Sequence, residues 1–279
     1  MSGVMERTLA ILELLGRHPE GMQVSLIASE LDMPASAAHR LLKELSQYGY
    51  VRQLRNQGDY ALTIKLAGIG LAFLARTGVP DITQPILDRL AADTRELVRL
   101  SVIDGDDLVW VGVAQGAVAG LRYDPGREQG IKVHLACSSG GHAWLSTMSD
   151  EEVLEKIGAQ GLKPDFIPGP SAPATITEVL KSVEEARQRG YAISVDSYHA
   201  GMGAMAMPVR SGETGAVIGC LSIAGPAVRV TPAQMQEFYP LLKEAAEEIG
   251  GAAEASFFFN RSRAHAPNTE TETETRQAG

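Results

Sequence analysis

Ser36, His39, Arg40 and Lys43 lie in the stretch Val24 to Leu45, VSLIASELDMPASAAHRLLKEL, and their types and spacing suit contact with nucleic acid. At about 100° per residue a helix gathers them in one sector and places Ala38, Leu41, Leu42 and Leu45 in the sector opposite. The polar sector then offers a hydroxyl, an imidazole and two fixed cations, with no acid among them and Glu44 at its margin. Arginine's planar fork can meet a phosphate or a guanine edge, and lysine supplies a point charge. Asp32-Met33-Pro34 interrupts the stretch, because proline disfavours a helical residue before it and suits the first turn of a following helix. The pattern therefore predicts a short helix opened by Ser25 or Gln23, with Leu26, Ile27 and Leu31 on its apolar side. A tight turn and a second helix from Pro34 or Ala35 follow. Two helices across a tight turn, the second exposing donors, suit the DNA major groove. The same pattern also describes a surface helix of an ordinary helical hairpin.

A second set of candidates sits past the middle of the chain. Ser138 or Ser139 with His142 could serve as nucleophile and base, but there is no Gly-x-Ser-x-Gly elbow and no evident orienting acid, so the chain is read as not an enzyme. His134, Cys137, His142 and Cys220 could surround a metal or sense redox state, although their spacings match no standard zinc pattern. A metal- or redox-sensing regulator using Cys137, His142 and Cys220 is thus the alternative to a sensor of an organic effector. Otherwise the two cysteines read as free buried thiols, and no cofactor is expected. Asp104-Gly105-Asp106-Asp107 reads as a turn or, alternatively, a metal loop.

Such residues need elements to hold them. A chain of 279 residues can form two domains, each with its own core. It contains no run of about 18 apolar residues and no basic-then-apolar N-terminus, so neither membrane span nor secretory signal is indicated and a cytoplasmic location is expected. Residues 1 to 76 hold eight Lys or Arg and seven Asp or Glu, a balance of +1, so the total of −9 leaves −10 for the remainder. A near-neutral module can hold DNA if its cations share one face, while an acidic remainder stays off the phosphates.

A first helix is expected from Val4 to Arg17, with Met5, Leu9 and Leu12, and Ile11 and Leu15, at helical spacing. Val51 to Leu54 and Tyr60 to Thr63 flank a polar, Gly-containing loop and predict a hairpin. Three helices and a two-stranded wing make a winged helix-turn-helix, in which Arg55 either touches DNA or is a solvated turn residue. Ile64 to Arg76, IKLAGIGLAFLAR, is helical but apolar on more than one side; it suggests a linker helix packed on a partner subunit, with Gly68 and Gly70 permitting close approach. Thr77-Gly78-Val79-Pro80 marks the domain boundary.

Beyond it the pattern predicts a helix over Ile82–Glu96, a hairpin from Val98–Ile103 and Leu108–Val113, and a strand at Gly120–Tyr123. Helices follow near 138–146, 150–157 and 176–189, then strands at 191–195, 204–209 and 216–223, and a last helix from Thr231-Pro232 to about Phe259. This is mixed α+β, an antiparallel sheet with helices set to one side. The end, with its TETETET run, has little to bury and is expected to be disordered. The expected domains are 1–63 winged helix-turn-helix, 64–80 linker helix, 81–259 effector-binding domain and 260–279 tail.

In order, ERTLAILELLGRHPEGMQVSLIASELDMPASAAHRLLKELSQYGYV, YALTIKLAGIGLAFL, LSVIDGDDLVWVGV, GGHAWLS, RGYAISVDSYHAGMGAMAMPV and GCLSIAGP resemble the IclR-type transcriptional regulators over nearly the whole chain. The resemblance implies a winged helix-turn-helix joined to a GAF-like small-molecule domain, working as a homodimer or homotetramer on double-stranded operator DNA. The family's recognition helix commonly reads Ser-Thr-Val-His-Arg, so Ser36, His39 and Arg40 carry over, while Ala37 and Ala38 replace the Thr and Val. In the pocket loop Ala136 stands for the usual His and His142 for the usual Lys. Asp196 alone remains of an acidic run, and of two alternate serines only Ser222, with Ala224 at the other place. The expected effector-binding residues are therefore Trp110, Ser138, Ser139, Gly140, Asp196 and Ser222, and the effector a small carboxylate or aromatic acid. Trp110, where tyrosine is common, and Trp144 either flank a flat ring or simply fill core.

Overall fold

Burying Ile11, Leu15, Ile27, Leu41, Leu42 and Leu45 together draws three helices around one small core. The computed structural model describes residues 3–54, 58–123, 129–253 and 256, and the chain divides into the units Met1–Arg76 and Thr77–Gly279. In the first, α1 (Val4–Gly16), α2 (Val24–Glu30) and α3 (Ala35–Gln47) precede an antiparallel pair, β1 (Val51–Gln53) and β2 (Tyr60–Leu62), with Val51 opposite Leu62. Asp32 makes the turn between α2 and α3 at φ 46°, a conformation that a short polar side chain tolerates. The N-cap of α2 is Gln23, which leaves Ser25 in its first turn.

The apolar sides of these helices are narrower than their sequence suggests. Met5 is 72% and Leu9 51% exposed on α1, while Ile11 and Leu15 are fully buried. Leu26 is 53% exposed, because a helix as short as α2 points only Ile27 and Ala28 at the core. Helix α4 (Ile64–Thr77) follows β2, with Ile64, Ile69, Leu71 and Phe73 all more than half exposed.

In the second unit, α5 (Val79–Thr94) begins three residues before the expected start, since Pro80 sits in its first turn, where a missing N–H costs nothing. The strands β3 (Leu97–Asp104) and β4 (Asp107–Gln115) turn at Gly105, φ 62°. Next come α6 (Ser139–Leu145), α7 (Asp150–Gln160), α8 (Ile176–Arg189), β5 (Ala192–Val195), β6 (Met202–Arg210), β7 (Val217–Pro226) and α9 (Pro232–Ala252). The strands form one antiparallel sheet in the order β4-β3-β7-β6-β5. Side-chain caps at Ser138, Ser149, Thr175 and Thr231 open α6, α7, α8 and α9.

Three expectations need correction. Residues 120–123 are not a strand; the outer edge of β4 is taken instead by 130–133, through Gly130 N–H to Trp110 O, Trp110 N–H to Ile131 O and Val133 N–H to Leu108 O. Helices cover both faces of the sheet rather than one. Val98, Leu100, Leu221 and Ile223 pack with α5 and α9, whereas Leu108, Trp110, Ala204 and Cys220 pack with α6, α7 and α8. Strands β3 and β7 are buried at nearly every position, and an apolar strand of that kind needs cover on both sides. Finally, α9 closes at Ala252, and Phe259 and the tail lie outside the described residues. Among those residues no helix is long and apolar enough to cross a membrane.

Candidate nucleic-acid interface and effector chamber

Helix α3 separates its two faces cleanly. Ala38, Leu41, Leu42 and Leu45 are buried, and Ser36, His39, Arg40 and Lys43 are exposed. A buried leucine contributes roughly 1.5–3 kcal/mol, so three of them fix the rod and with it the direction of the opposite face. Among the described residues His39, Arg40 and Lys43 form no ion pair, and their side chains accept or donate no hydrogen bond. Their donors are free for another molecule. Ser25 is exposed on α2, and Arg55 lies outside the described residues.

The second unit places polar groups inside instead. On the α6 side of the sheet Arg99 of β3 is 5% exposed, with its guanidinium carbon 4.4 Å from the centre of the Trp110 ring and 6.0 Å from that of Tyr123. Trp110 meets Tyr198 edge-on at 5.6 Å, and Phe166 leans on Tyr198 at 4.8 Å and on His199 at 5.3 Å. Ser222 of β7 lies opposite Arg99 and donates to its carbonyl at 3.3 Å. These residues come from six separate stretches of chain and meet only in the fold.

At the start of α6, Ser138 Oγ accepts from Gly141 N–H at 3.0 Å and donates to His134 O at 2.7 Å, closing the first turn. Ser139 and Gly140 are buried beside it, Gly140 facing Val133 and Leu108. Position 141 must be glycine, since a Cβ there would lie 2.4 Å from Leu135 O. Asp196, at φ 52°, accepts from Gly201 N–H at 2.6 Å and so closes the β5–β6 turn. Trp144 faces α7, with Lys156 Nζ 5.0 Å from its ring centre.

The sulfur and imidazole candidates are not poised for metal or redox chemistry. Cys137 Sγ lies 3.3 Å from His134 Nδ1, but burial pushes its thiol up to about 12, and burial also raises that of Cys220. Burial lowers the pKa of both His134 and His142. His142 Nε2 meets Ala136 O at 2.8 Å, while its Nδ1 is buried with no hydrogen-bond partner. Among the described residues no three His, Cys, Asp or Glu side chains converge as metal ligands.

Two family models match: the IclR helix-turn-helix domain over residues 4–55, and the bacterial transcriptional regulator IclR C-terminal domain over residues 71–250. The chain belongs to the IclR family of transcriptional regulators. Its similarity to the HTH-type transcriptional repressor AllR of Escherichia coli strain K12 is 27% identity over 248 residues, 89% of each chain. The Thermotoga maritima IclR structure superposes with a TM-score of 0.66 at 26% identity, covering 88% of this chain and 96% of that one. An IclR homolog from Microbacterium hydrocarbonoxydans, solved in complex with 4-hydroxybenzoate, gives 0.72 at 22% identity, covering 91% and 100%. Members of this family are regulators and not enzymes, which sets aside Ser138 or Ser139 with His142 as a catalytic pair.

In this IclR-family chain, helical periodicity had already grouped the four α3 side chains. Of the second-unit candidates the fold joins Trp110 and Ser222 through Arg99, and it sets Ser138, Ser139 and Gly140 on α6 and Asp196 at the β5–β6 turn. Arg99, Tyr123, Phe166, Tyr198 and His199 went unremarked in the sequence. The one signal was a charged residue at an inward position of LVRLSVID.

Proposed function

We propose that residues 1–63 are the operator-reading head, 64–80 the linker helix and 81–259 an effector-binding domain whose occupancy sets the affinity of paired heads for double-stranded operator DNA. The observation that carries this is the outward face of α3: two unpaired cations, an imidazole and a hydroxyl on a rod anchored by leucine. Ser36, His39 and Arg40 contact base edges or nearby phosphates, Lys43 a phosphate, and Ser25 adds a contact from α2; Arg55, outside the described residues, is assigned to DNA contact from the sequence alone. A mobility shift with the DNA upstream of the protein's own coding region tests the reading. Retardation that is lost in Arg40→Ala supports it, and no retardation at low salt by a folded protein removes it.

The effector is a small organic acid, taken on the α6 side of the sheet by Trp110 and Ser222, with Ser138, Ser139 and Gly140 at the start of α6 and Asp196 at the β5–β6 turn as its other contacts. The 4-hydroxybenzoate bound by the Microbacterium homolog supports an aromatic acid. Raised thiols and the absence of converging ligands among the described residues count against metal or redox sensing. A thermal-shift screen of small carboxylates, phenolic acids and sugar acids finds the ligand class. The working form is a homodimer or homotetramer in the cytoplasm, and the exposed apolar face of α4 supports pairing through the linker helix. At Gly68 and Gly70 a Cβ would meet open space within this chain, as expected if their close approach serves a second copy.

A further inference from the structure

The C-terminus of α3 is closed in two layers. Gly49, at φ 74°, carries the chain out of the helix; its N–H donates to Ser46 O at 3.0 Å and Tyr50 N–H donates to Leu45 O at 3.0 Å, the pairing of a Schellman cap. The carbonyls of Tyr48, Gly49 and Tyr50 are then taken by two residues at the start of α4. Lys65 Nζ donates to Tyr48 O at 2.6 Å, Thr63 Oγ1 to Gly49 O at 2.6 Å and Thr63 N–H to Tyr50 O at 2.8 Å. Lys65 Nζ also stands 4.6 Å from the centre of the Tyr50 ring, and Lys65 N–H donates to Thr63 Oγ1 at 3.2 Å. Charge gives the arrangement a direction. The partial negative charge at a helix C-terminus favours a cation, and the last turn of α3 has none of its own. Lys65 lies in the first turn of α4, where the partial positive charge of an N-terminus disfavours a cation and no acid offsets it. Its position is unfavourable for its own helix and favourable for α3.

We propose that Lys65 is a positioning residue for operator binding. With Thr63 it ties the exit of α3 to the first turn of α4, so the direction of α3 is set at both ends, by the Asp32 turn before it and by this clamp after it. Ser36, His39, Arg40 and Lys43 then meet the duplex in one register, while Lys65 itself makes no DNA contact. This rests on the reading of α3 as the operator-facing helix and deepens it. Base edges demand register and phosphates tolerate its loss, so a loosened clamp costs specific binding more than non-specific binding.

Mobility shifts of the full-length chain test this on the DNA upstream of its own coding region and on a shuffled duplex of equal length, with melting curves to report folding. Lys65→Met keeps the stem and removes the charge. It is expected to weaken binding to the upstream DNA about 3- to 10-fold and to the shuffled duplex less than about two-fold, with the salt slope unchanged. Lys65→Arg, which keeps a charged donor at the end of α3, is expected to bind as the parent does. Thr63→Val removes the hydroxyl alone; it is expected to reproduce part of the loss, and it carries the same comparison should Lys65→Met fail to fold. A folded Lys65→Met that binds the upstream DNA as tightly as the parent assigns Lys65 to stability alone and overturns the proposal, while the operator-facing reading stands. A salt slope flatter by about 0.9 makes Lys65 a phosphate contact and overturns it as well. If the folded parent does not retard the upstream DNA, the clamp and the operator-facing reading fall together.

Discussion

Arg40 and Arg99 carry the same group in opposite surroundings, Arg40 exposed on α3 and Arg99 buried beside the Trp110 ring. Arg40 is exposed and, among the described residues, unpaired, so its replacement removes no contact within the protein. Arg40→Ala is expected to cost about 1–3 kcal/mol of operator affinity per head, read by mobility shift, with effector binding unchanged. Equal loss of both would mean damage to the fold. His142 is a different case: it is 2% exposed and its pKa is lowered by burial. Below the unfolded-state pKa of 6.5 the unfolded chain takes up a proton that the native chain refuses. Stability therefore falls as pH drops from there toward the lowered native value, at up to about 1.4 kcal/mol per pH unit for one histidine. Melting temperature measured from pH 7 down to 5 should fall less steeply in His142→Gln than in the parent; parallel curves would show that another group governs acid stability. Arg40 could be read from spacing, because helical neighbours are set by a fixed angle. Arg99 could not, since its ring partners lie far away in the chain.

At the scale of elements, α6 is held by close approach. Gly141→Ala would push a methyl against Leu135 O, which must move by about an ångström. The expected cost is on the order of 1–3 kcal/mol, measured by urea unfolding, and an unchanged midpoint would show that the loop yields freely. Helix α4 presents Ile69, Leu71 and Phe73 at 51%, 64% and 52% exposure. If a second copy covers that face, Leu71→Lys with Phe73→Glu should shift the sedimentation mass toward the monomer, and an unaltered mass would assign pairing elsewhere. Most helices and strands were legible from their 3.6- and 2-residue periods. The false strand at 120–123 was not, because edge pairing depends on which segment reaches β4 first in space. The overestimated apolar sides of α1 and α2 have a related cause, since a small core has room for only one side of each helix.

For the molecule as a whole, the division of charge gives the acidic majority to the effector half and leaves the reading head near neutral. Operator affinity should fall steeply with salt, with a log–log slope of about −0.9 per phosphate neutralised, and Lys43→Ala should flatten it. A slope near zero would exclude phosphate contact by α3. The effector's influence on the heads is bounded by its preference between two states, typically about 1–3 kcal/mol, or 5- to 150-fold in operator affinity. What the sequence determined by itself was local: the faces of α3, the hairpins, the change from a helical head to an α+β body, and the family. Tertiary structure decided the ring cluster, where a strand arginine meets rings from 110, 123, 166 and 198–199. It also decided that helices cover both sides of the sheet. The reason is that periodicity specifies which way a side chain points, whereas the strand order β4-β3-β7-β6-β5 specifies what it meets, and that order pairs segments more than a hundred residues apart.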